Sequence, residues 1–188
     1  GLGDVYKRQK QYRYGWYRIC SKILGYSECN LIQVPIYMQF KLVLNDTFDK
    51  YNCGEFDKKE NDTISVNKSN FSHETDEVNV MISDTYPLSL SQLPEIKKNI
   101  PTLLISRNNT NDVNRYDSPE LVRCVVNEVR SLNNNIKKVN VYATTNPLNT
   151  KNIASSAFKL GGRDNFNEVR VFPVSYTHLR AHETRHDL

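Results

Sequence analysis

The chain has 188 residues, which is long enough for one domain with a sizeable core or for parts of two. Its 25 lysines and arginines against 21 aspartates and glutamates give a formal net charge of +4. This charge is spread along the chain, which excludes the basic patch of a nucleic-acid-binding protein, so no DNA or RNA duplex is an expected partner. The four cysteines form no CxxC pair, so they predict no zinc site, and no cofactor is predicted.

The two ends of the sequence, residues 1–9 and 174–188, are interpreted as translated sequencing adapter. Codons for Gly1–Gln9 can be chosen so that their reverse complement appears at the start of a back-translation of Val174–Glu183. The histidines at positions 178, 182 and 186 would otherwise predict a metal site on one face of a helix. The adapter interpretation removes that site and leaves residues 10–173 as a metagenomic fragment.

Residues 10–76 are predicted to be a helix, a strand and a polar insertion or linker. Apolar residues recur at three- and four-residue spacing between Tyr14 and Gly25, which predicts a short amphipathic helix. Ile32–Leu44 alternates apolar and polar residues, which predicts one or two half-buried strands with Pro35 at an edge or a break. Residues 45–76 are polar, as in a surface insertion or a linker.

Residues 77–173 alternate between predicted strands and helices. The strands are Val78–Ser83, Thr102–Ser106, Val139–Ala143 and one that starts at Val169–Phe172. The helices are Leu90–Asn99, one capped by Ser118 with Pro119 following, and one that begins at Asn149 or Thr150 and ends at Gly161-Gly162. The fold class is therefore α/β, a mainly parallel Rossmann-like sheet with helices on its faces and right-handed crossovers, incomplete at the C-terminus.

Polar residues follow three of the predicted strands and should meet at one rim of the sheet, where ligands of such folds bind. They are Asp84, Thr85 and Tyr86, then Ser106, Arg107 and Asn108, and finally Thr144, Thr145 and Asn146. Hydroxyls, amides and an arginine suit a phosphate or nucleotide, although the same residue types also end strands simply because they form turns. The sequence has no nucleophile, phosphate-loop or dinucleotide motif, so no catalytic residue is predicted.

Residues from Leu103 to Phe172 resemble the last part of a SAVED domain. The resemblance rests on Leu103–Ser106, the helix starting Ser118-Pro119-Glu120, the strand and turn Val139–Pro147, and the segments Asn152-Ile153-Ala154 and Phe158-Lys159-Leu160-Gly161. That family is similar to the CARF sensors and binds cyclic oligonucleotide second messengers in bacterial anti-phage systems, usually passing the signal to a fused effector. The resemblance implies that Ser106, Arg107, Thr144, Thr145 and Asn146 lie near such a ligand, with an effector domain outside this fragment.

Three functions stay open at this point. The first is a cyclic-oligonucleotide sensor, and the second is a Rossmann-like enzyme acting on a nucleotide or sugar-nucleotide. The third is a protein-interaction module in which the strand predicted at Ile32–Leu44 pairs with a partner chain by edge addition. No signal peptide or membrane span is visible in the sequence, so a cytoplasmic location without a membrane partner is expected.

Overall fold

The structure is a computed structural model that describes residues 12–72, 74–108, 115–159 and 166–174. Its α-helices are α1 (Tyr14–Lys22), α2 (Ile36–Leu44), α3 (Pro119–Arg130) and α4 (Pro147–Ile153), and α4 continues into a π-helical stretch, Ala154–Lys159. Its strands are β1 (Glu28–Asn30), β2 (Lys50–Asn52), β3 (Ile64–Ser69), β4 (Glu77–Ser83), β5 (Thr102–Arg107), β6 (Lys138–Ala143) and β7 (Glu168–Phe172). Short 3-10 turns lie at Leu31–Gln33, Leu90–Gln92 and Glu95–Lys97.

A five-stranded sheet in the order β3-β5-β4-β6-β7 forms the centre of the fold. β5, β4, β6 and β7 are parallel, and β3 is an antiparallel edge strand next to β5. Val80 lies opposite both Leu103 and Val141, and Val141 lies opposite Val171. The predicted mainly parallel α/β sheet is therefore confirmed. β1 and β2 form a separate two-stranded parallel sheet.

Helices α2, α3 and α4 pack on one face of this sheet, where alternate residues of β4, β5 and β6 are buried. The predicted cap of α3 is confirmed, since the Ser118 side chain accepts a hydrogen bond from the Leu121 backbone N–H and Pro119 occupies the first turn. The predicted start of α4 at Asn149 or Thr150 is wrong. Asn146 caps that helix by accepting from the Asn149 backbone N–H, and Pro147 follows in its first turn, where the missing N–H costs nothing.

The strand predicted at Ile32–Leu44 is wrong, because this segment forms a 3-10 turn and then helix α2. α2 is enclosed by α1, α4, the π-helical stretch, β6 and β7, so apolar residues occupy almost its whole circumference. An apolar run with few polar gaps can imitate the two-residue period of a strand. Its interior polar residue, Gln39, donates to the carbonyls of Leu31 at 2.8 Å and Val34 at 2.9 Å. An interaction module based on strand addition at this segment is therefore excluded.

Two other predicted segments also differ from the structure. Residues 45–76 are not only a polar insertion, since they contain β2 and β3, and β3 pairs with β5 from Ile64 opposite Arg107 to Ser69 opposite Thr102. The helix predicted at Leu90–Asn99 is two 3-10 turns, because Pro94 lies between them and cannot donate to a continuing helix. The α-helices of the described residues that pack on the sheet thus lie on one of its faces. On the other, buried residues around these turns pack against Met81 and Tyr142.

The four cysteines are free thiols. Burial raises the pKa of Cys29 to about 11. Among the helices that the structure describes, none combines the length and the apolar character needed to cross a bilayer. The segment 1–9, residues 175–188 with their three histidines, and the predicted Gly161-Gly162 cap lie outside the described residues.

Candidate functional site

A charged pair lies at the rim where the carboxyl ends of β4 and β5 meet. Arg107 ends β5 and Asp84 follows β4, and the Arg107 Nε atom lies 2.8 Å from Asp84 Oδ1. The Arg107 Nη1 atom lies 3.3 Å from Oδ2 of a second carboxylate, Asp62. The side chains of Arg107, Asp84 and Asp62 are 0%, 0% and 2% exposed. One buried guanidinium therefore bridges two buried carboxylates.

Asp62 reaches the rim because β3 brings the preceding residues alongside β5. Its Oδ2 atom also accepts a hydrogen bond from Ser118 Oγ at 2.7 Å, which ties it to the start of α3. The sequence prediction missed Asp62, since it placed this residue in a polar insertion. No sequence signal identifies its role, because the pairing of β3 with β5 is a long-range contact between two segments separated by β4.

The second oxygen of Asp84 holds the start of α4. Asp84 Oδ2 accepts from the Asn146 backbone N–H at 3.2 Å and from Asn149 Nδ2 at 3.0 Å. Both amide side chains also donate to the Tyr116 carbonyl, Asn146 at 2.8 Å and Asn149 at 2.9 Å. Burial raises the pKa of Asp84, whereas Arg107 and the amide donors act in the opposite direction. Asp84 thereby connects β4, β5, α4 and the segment before α3.

The threonines after β6 fix the turn that follows β4. Thr144 Oγ1 accepts from the Asp84 backbone N–H at 3.2 Å and donates to the Tyr86 carbonyl at 2.6 Å. The Thr85 hydroxyl donates in turn to the Thr144 carbonyl. Thr145 Oγ1 lies 2.6 Å from Thr150 Oγ1, within α4. The two loops therefore hold one another in place.

Four of the five predicted ligand-binding residues come together at this rim, but their side chains are buried. Arg107, Thr144, Thr145 and Asn146 all bond to neighbouring protein groups rather than facing solvent. Ser106 precedes Arg107 in the strand, so its side chain lies on the opposite face of the sheet. It is half-buried, and within the described part of the chain its hydroxyl makes no hydrogen bond.

The accessible part of the rim carries an aromatic ring beside a cation. The Tyr116 ring is half-buried, with Lys59 Nζ 5.5 Å and the Arg107 guanidinium carbon 5.8 Å from its centroid. Lys59 also lies 3.7 Å from Asp62 Oδ1 and is partly exposed. Tyr86 is half-buried and Asn108 is exposed near the same edge. Aromatic faces next to cations suit nucleobases and phosphates.

The sheet topology and this rim together define a Rossmann-like α/β domain. The sequence matches the SMODS- and ubiquitin system-associated 2TM effector domain family over residues 1–188, and the chain belongs to this family. A search of curated proteins gave no match.

Two solved structures with a similar fold are of a SAVED/CARF-domain-containing receptor from Acinetobacter baumannii. The structure with the cyclic trinucleotide 3'3'3'-cAAA has a TM-score of 0.52 and 11% identity, and the match covers 71% of this chain and 33% of that one. The structure with 2'3'3'-cAAA has a TM-score of 0.50 and 13% identity, and the match covers 70% of this chain and 33% of that one. The chain thus matches about a third of the receptor's length, and at this identity the likeness concerns the fold.

Proposed function

We propose that this chain is a ligand-sensing region of an anti-phage system and that its rim binds a cyclic oligonucleotide. The observation that carries the proposal is the convergence of the loops after β4, β5 and β6 on one rim, in a fold similar to that of a receptor solved with cyclic trinucleotides. The ligand's phosphates and bases would be recognised by the Ser106 hydroxyl and the Lys59–Tyr116 pair.

In this proposal the buried and the accessible rim residues have different roles. Arg107, Thr144, Thr145 and Asn146 act as positioning residues, because their side chains are bonded inside the protein. Ser106, Tyr116 and Lys59 contact the ligand, since each keeps part of its side chain accessible. Ligand binding would then shift the loops that the Asp84–Arg107 pair connects, and the change would pass to an effector domain.

Isothermal titration calorimetry of the full chain with a panel of cyclic di- and trinucleotides tests this function. We expect heat with at least one cyclic oligonucleotide and none with linear sugar-nucleotides, which belong in the panel because an enzyme of similar architecture would bind them. Uniformly absent heat contradicts the proposal.

The matched pair Lys59→Ala and Lys68→Ala locates the site. Both lysines are partly exposed and each pairs with one carboxylate, Asp62 or Glu128, but Lys68 lies on β3 towards the other end of the sheet. We expect Lys59→Ala to weaken binding about tenfold and Lys68→Ala to leave the Kd unchanged. Equal effects of the two variants would place the ligand elsewhere.

A further inference from the structure

One side of helix α1 exposes a stripe of large apolar side chains. Trp16, Ile19 and Ile23 are spaced by three or four residues and so share one helix face, and Tyr12 lies just before the helix, whose N-cap is Arg13. Trp16 is 45% exposed and Ile23 is 76% exposed. The Tyr12 and Trp16 rings contact each other, with centroids 5.9 Å apart. Single exposed apolar residues are ordinary, but these four neighbouring side chains form a patch that suggests a partner.

The opposite side of α1 is fixed to the protein, which sets the direction of the stripe. Tyr17 is buried in the core, and the Tyr14 hydroxyl lies 3.1 Å from Thr47 Oγ1. Ser21 Oγ donates to the Thr47 carbonyl at 2.5 Å. Because these three residues face the body of the protein, the stripe on the other side points away from it.

Basic side chains flank the stripe. Arg13 is the N-cap residue at its start, and at about 100° per residue Arg18 and Lys22 lie along one side of it. All three are exposed. Residues 12–27 contain no aspartate or glutamate. The surface therefore combines apolar and aromatic groups with a local charge of +3.

We propose that α1 binds the surface of a bilayer containing anionic lipids, with the stripe inserted among the headgroups. Amphipathic helices with aromatic residues on one side and lysines or arginines beside them bind such surfaces, and the basic side chains reach the lipid phosphates. A second copy of the chain fits less well, because a two-fold contact through α1 would bring two sets of three cations together. The proposal departs from the expectation that no membrane is a partner.

The size and charge of α1 define the kind of binding. α1 has nine residues, so it lies on the membrane rather than crossing it. Each basic side chain near an anionic surface strengthens binding about fivefold, and salt screens this attraction. Binding is therefore reversible, strongest on anionic vesicles and weakened by salt. It needs no cyclic oligonucleotide, so its failure would leave the proposed sensor function intact.

Trp16 provides the measurement, because it is the single tryptophan in the sequence. The full chain is titrated with vesicles of phosphatidylcholine alone and of phosphatidylcholine with phosphatidylglycerol at about three to one. Tryptophan emission is expected to shift to the blue only with the anionic vesicles, and the shift should be quenched by lipids brominated on the acyl chain. Raising the salt to about 0.5 M should weaken binding at least tenfold.

Two pairs of variants distinguish binding through this surface from nonspecific binding of the protein to vesicles. Ile23→Ser should weaken vesicle binding about tenfold, whereas Ile96→Ser, at an isoleucine that is 84% exposed elsewhere, should not. Arg18→Glu should weaken it at least tenfold, whereas Arg130→Glu at the end of α3 should not. Binding of both members of a pair to the same extent overturns the proposal, and so does the absence of any blue shift. Sedimentation that shows a dimer lost in Ile23→Ser, without vesicle binding, overturns it in favour of a second copy.

Discussion

The central sheet carries a polar cluster near each of its ends, and the two are built from different groups. At the carboxyl end, the rim cluster consists of Arg107 with Asp84 and Asp62, all with side chains almost fully buried. At the amino end, on the opposite face, an amide ladder runs across β5, β4 and β6. Asn140 donates to Asn79 Oδ1 at 3.1 Å, and Asn79 donates to Thr102 Oγ1 at 3.1 Å.

The amide ladder ends in an ion pair that is not fully buried. Asn140 Nδ2 donates to Glu77 Oε1 at 2.7 Å, and Glu77 also binds Lys97. In the amide ladder, neutral side chains therefore make the buried hydrogen bonds, and the charged pair Glu77–Lys97 lies where the protein is partly exposed to solvent. The rim cluster reverses this arrangement by burying a cation between two anions. Since a buried ion pair contributes little net stability over apolar residues of the same size, its presence at the rim is better explained by its positioning of the loops that it joins.

The largest effect is expected when the rim cluster loses its cation. Arg107→Met leaves Asp84 and Asp62 buried without their guanidinium, so the free energy of unfolding should fall by about 3–5 kcal/mol. Urea unfolding followed by circular dichroism measures this change. Asp84→Asn in the same assay should cost less, because Arg107 keeps Asp62 and the new side chain is neutral. A loss under about 1 kcal/mol for Arg107→Met would show that Asp84 and Asp62 do not depend on Arg107 as their buried partner.

A smaller effect is expected at the amide ladder. Asn140→Ala removes the donors to Glu77 and Asn79 without leaving a fully buried charge, so the free energy of unfolding should fall by about 1–3 kcal/mol. The same urea experiment measures it. An equal loss of unfolding free energy in Asn140→Ala and Arg107→Met would contradict the idea that the charged cluster is more sensitive than the neutral one to the loss of a partner.

The sequence predicts the parallel sheet well, because that part of the fold depends on local patterns. The β-branched runs around Val80, Val141 and Val171, and the Ser118-Pro119 start of α3, act through propensity and burial within short segments. The same reasoning placed Arg107 and Thr144–Asn146 at one rim, since parallel strands end at the same edge.

The failures of prediction lie where distant contacts decide the structure. Ile36–Leu44 is helical because several elements surround it, which a pattern within nine residues does not reveal. Asp62 joins Arg107 only because β3 crosses to the sheet edge, and the polar residues around it give no sign of that pairing. The side-chain direction of Ser106 could have been predicted from strand alternation, which places it opposite Arg107.

A modest dependence of stability on pH is expected from Glu77, the carboxylate at the end of the amide ladder. Burial alone would raise the pKa of Glu77, but hydrogen bonds from Asn140 and Lys97 lower it below the ordinary value of 4.5. A carboxylate with a lowered folded pKa contributes stability that is complete above its unfolded pKa and is lost as the pH falls through the folded pKa. The free energy of unfolding should therefore fall by up to about 1 kcal/mol through this group between pH 6 and pH 3. Glu77→Gln should flatten the profile below pH 4.5, and an unchanged slope would contradict the assignment.

The smallest effect on stability should come from the accessible edge of the rim, and it tests whether rim residues divide into positioning and contacting groups. Ser106 has a half-buried hydroxyl, and its neighbours opposite in register are Ser65 on β3 and Ser83 on β4. Since this hydroxyl has no internal partner within the described residues, Ser106→Ala should change the free energy of unfolding by less than about 0.5 kcal/mol. Calorimetry with a cyclic oligonucleotide that binds should nevertheless show a Kd raised about fivefold, because a hydrogen bond to the ligand is lost.

Ser83→Ala is the control with the opposite result. The Ser83 hydroxyl donates to the Tyr86 carbonyl at 2.9 Å, so its removal should lower the free energy of unfolding more than Ser106→Ala does. A destabilised Ser106→Ala with unchanged affinity would place Ser106 among the positioning residues and leave Lys59 and Tyr116 as the contacts.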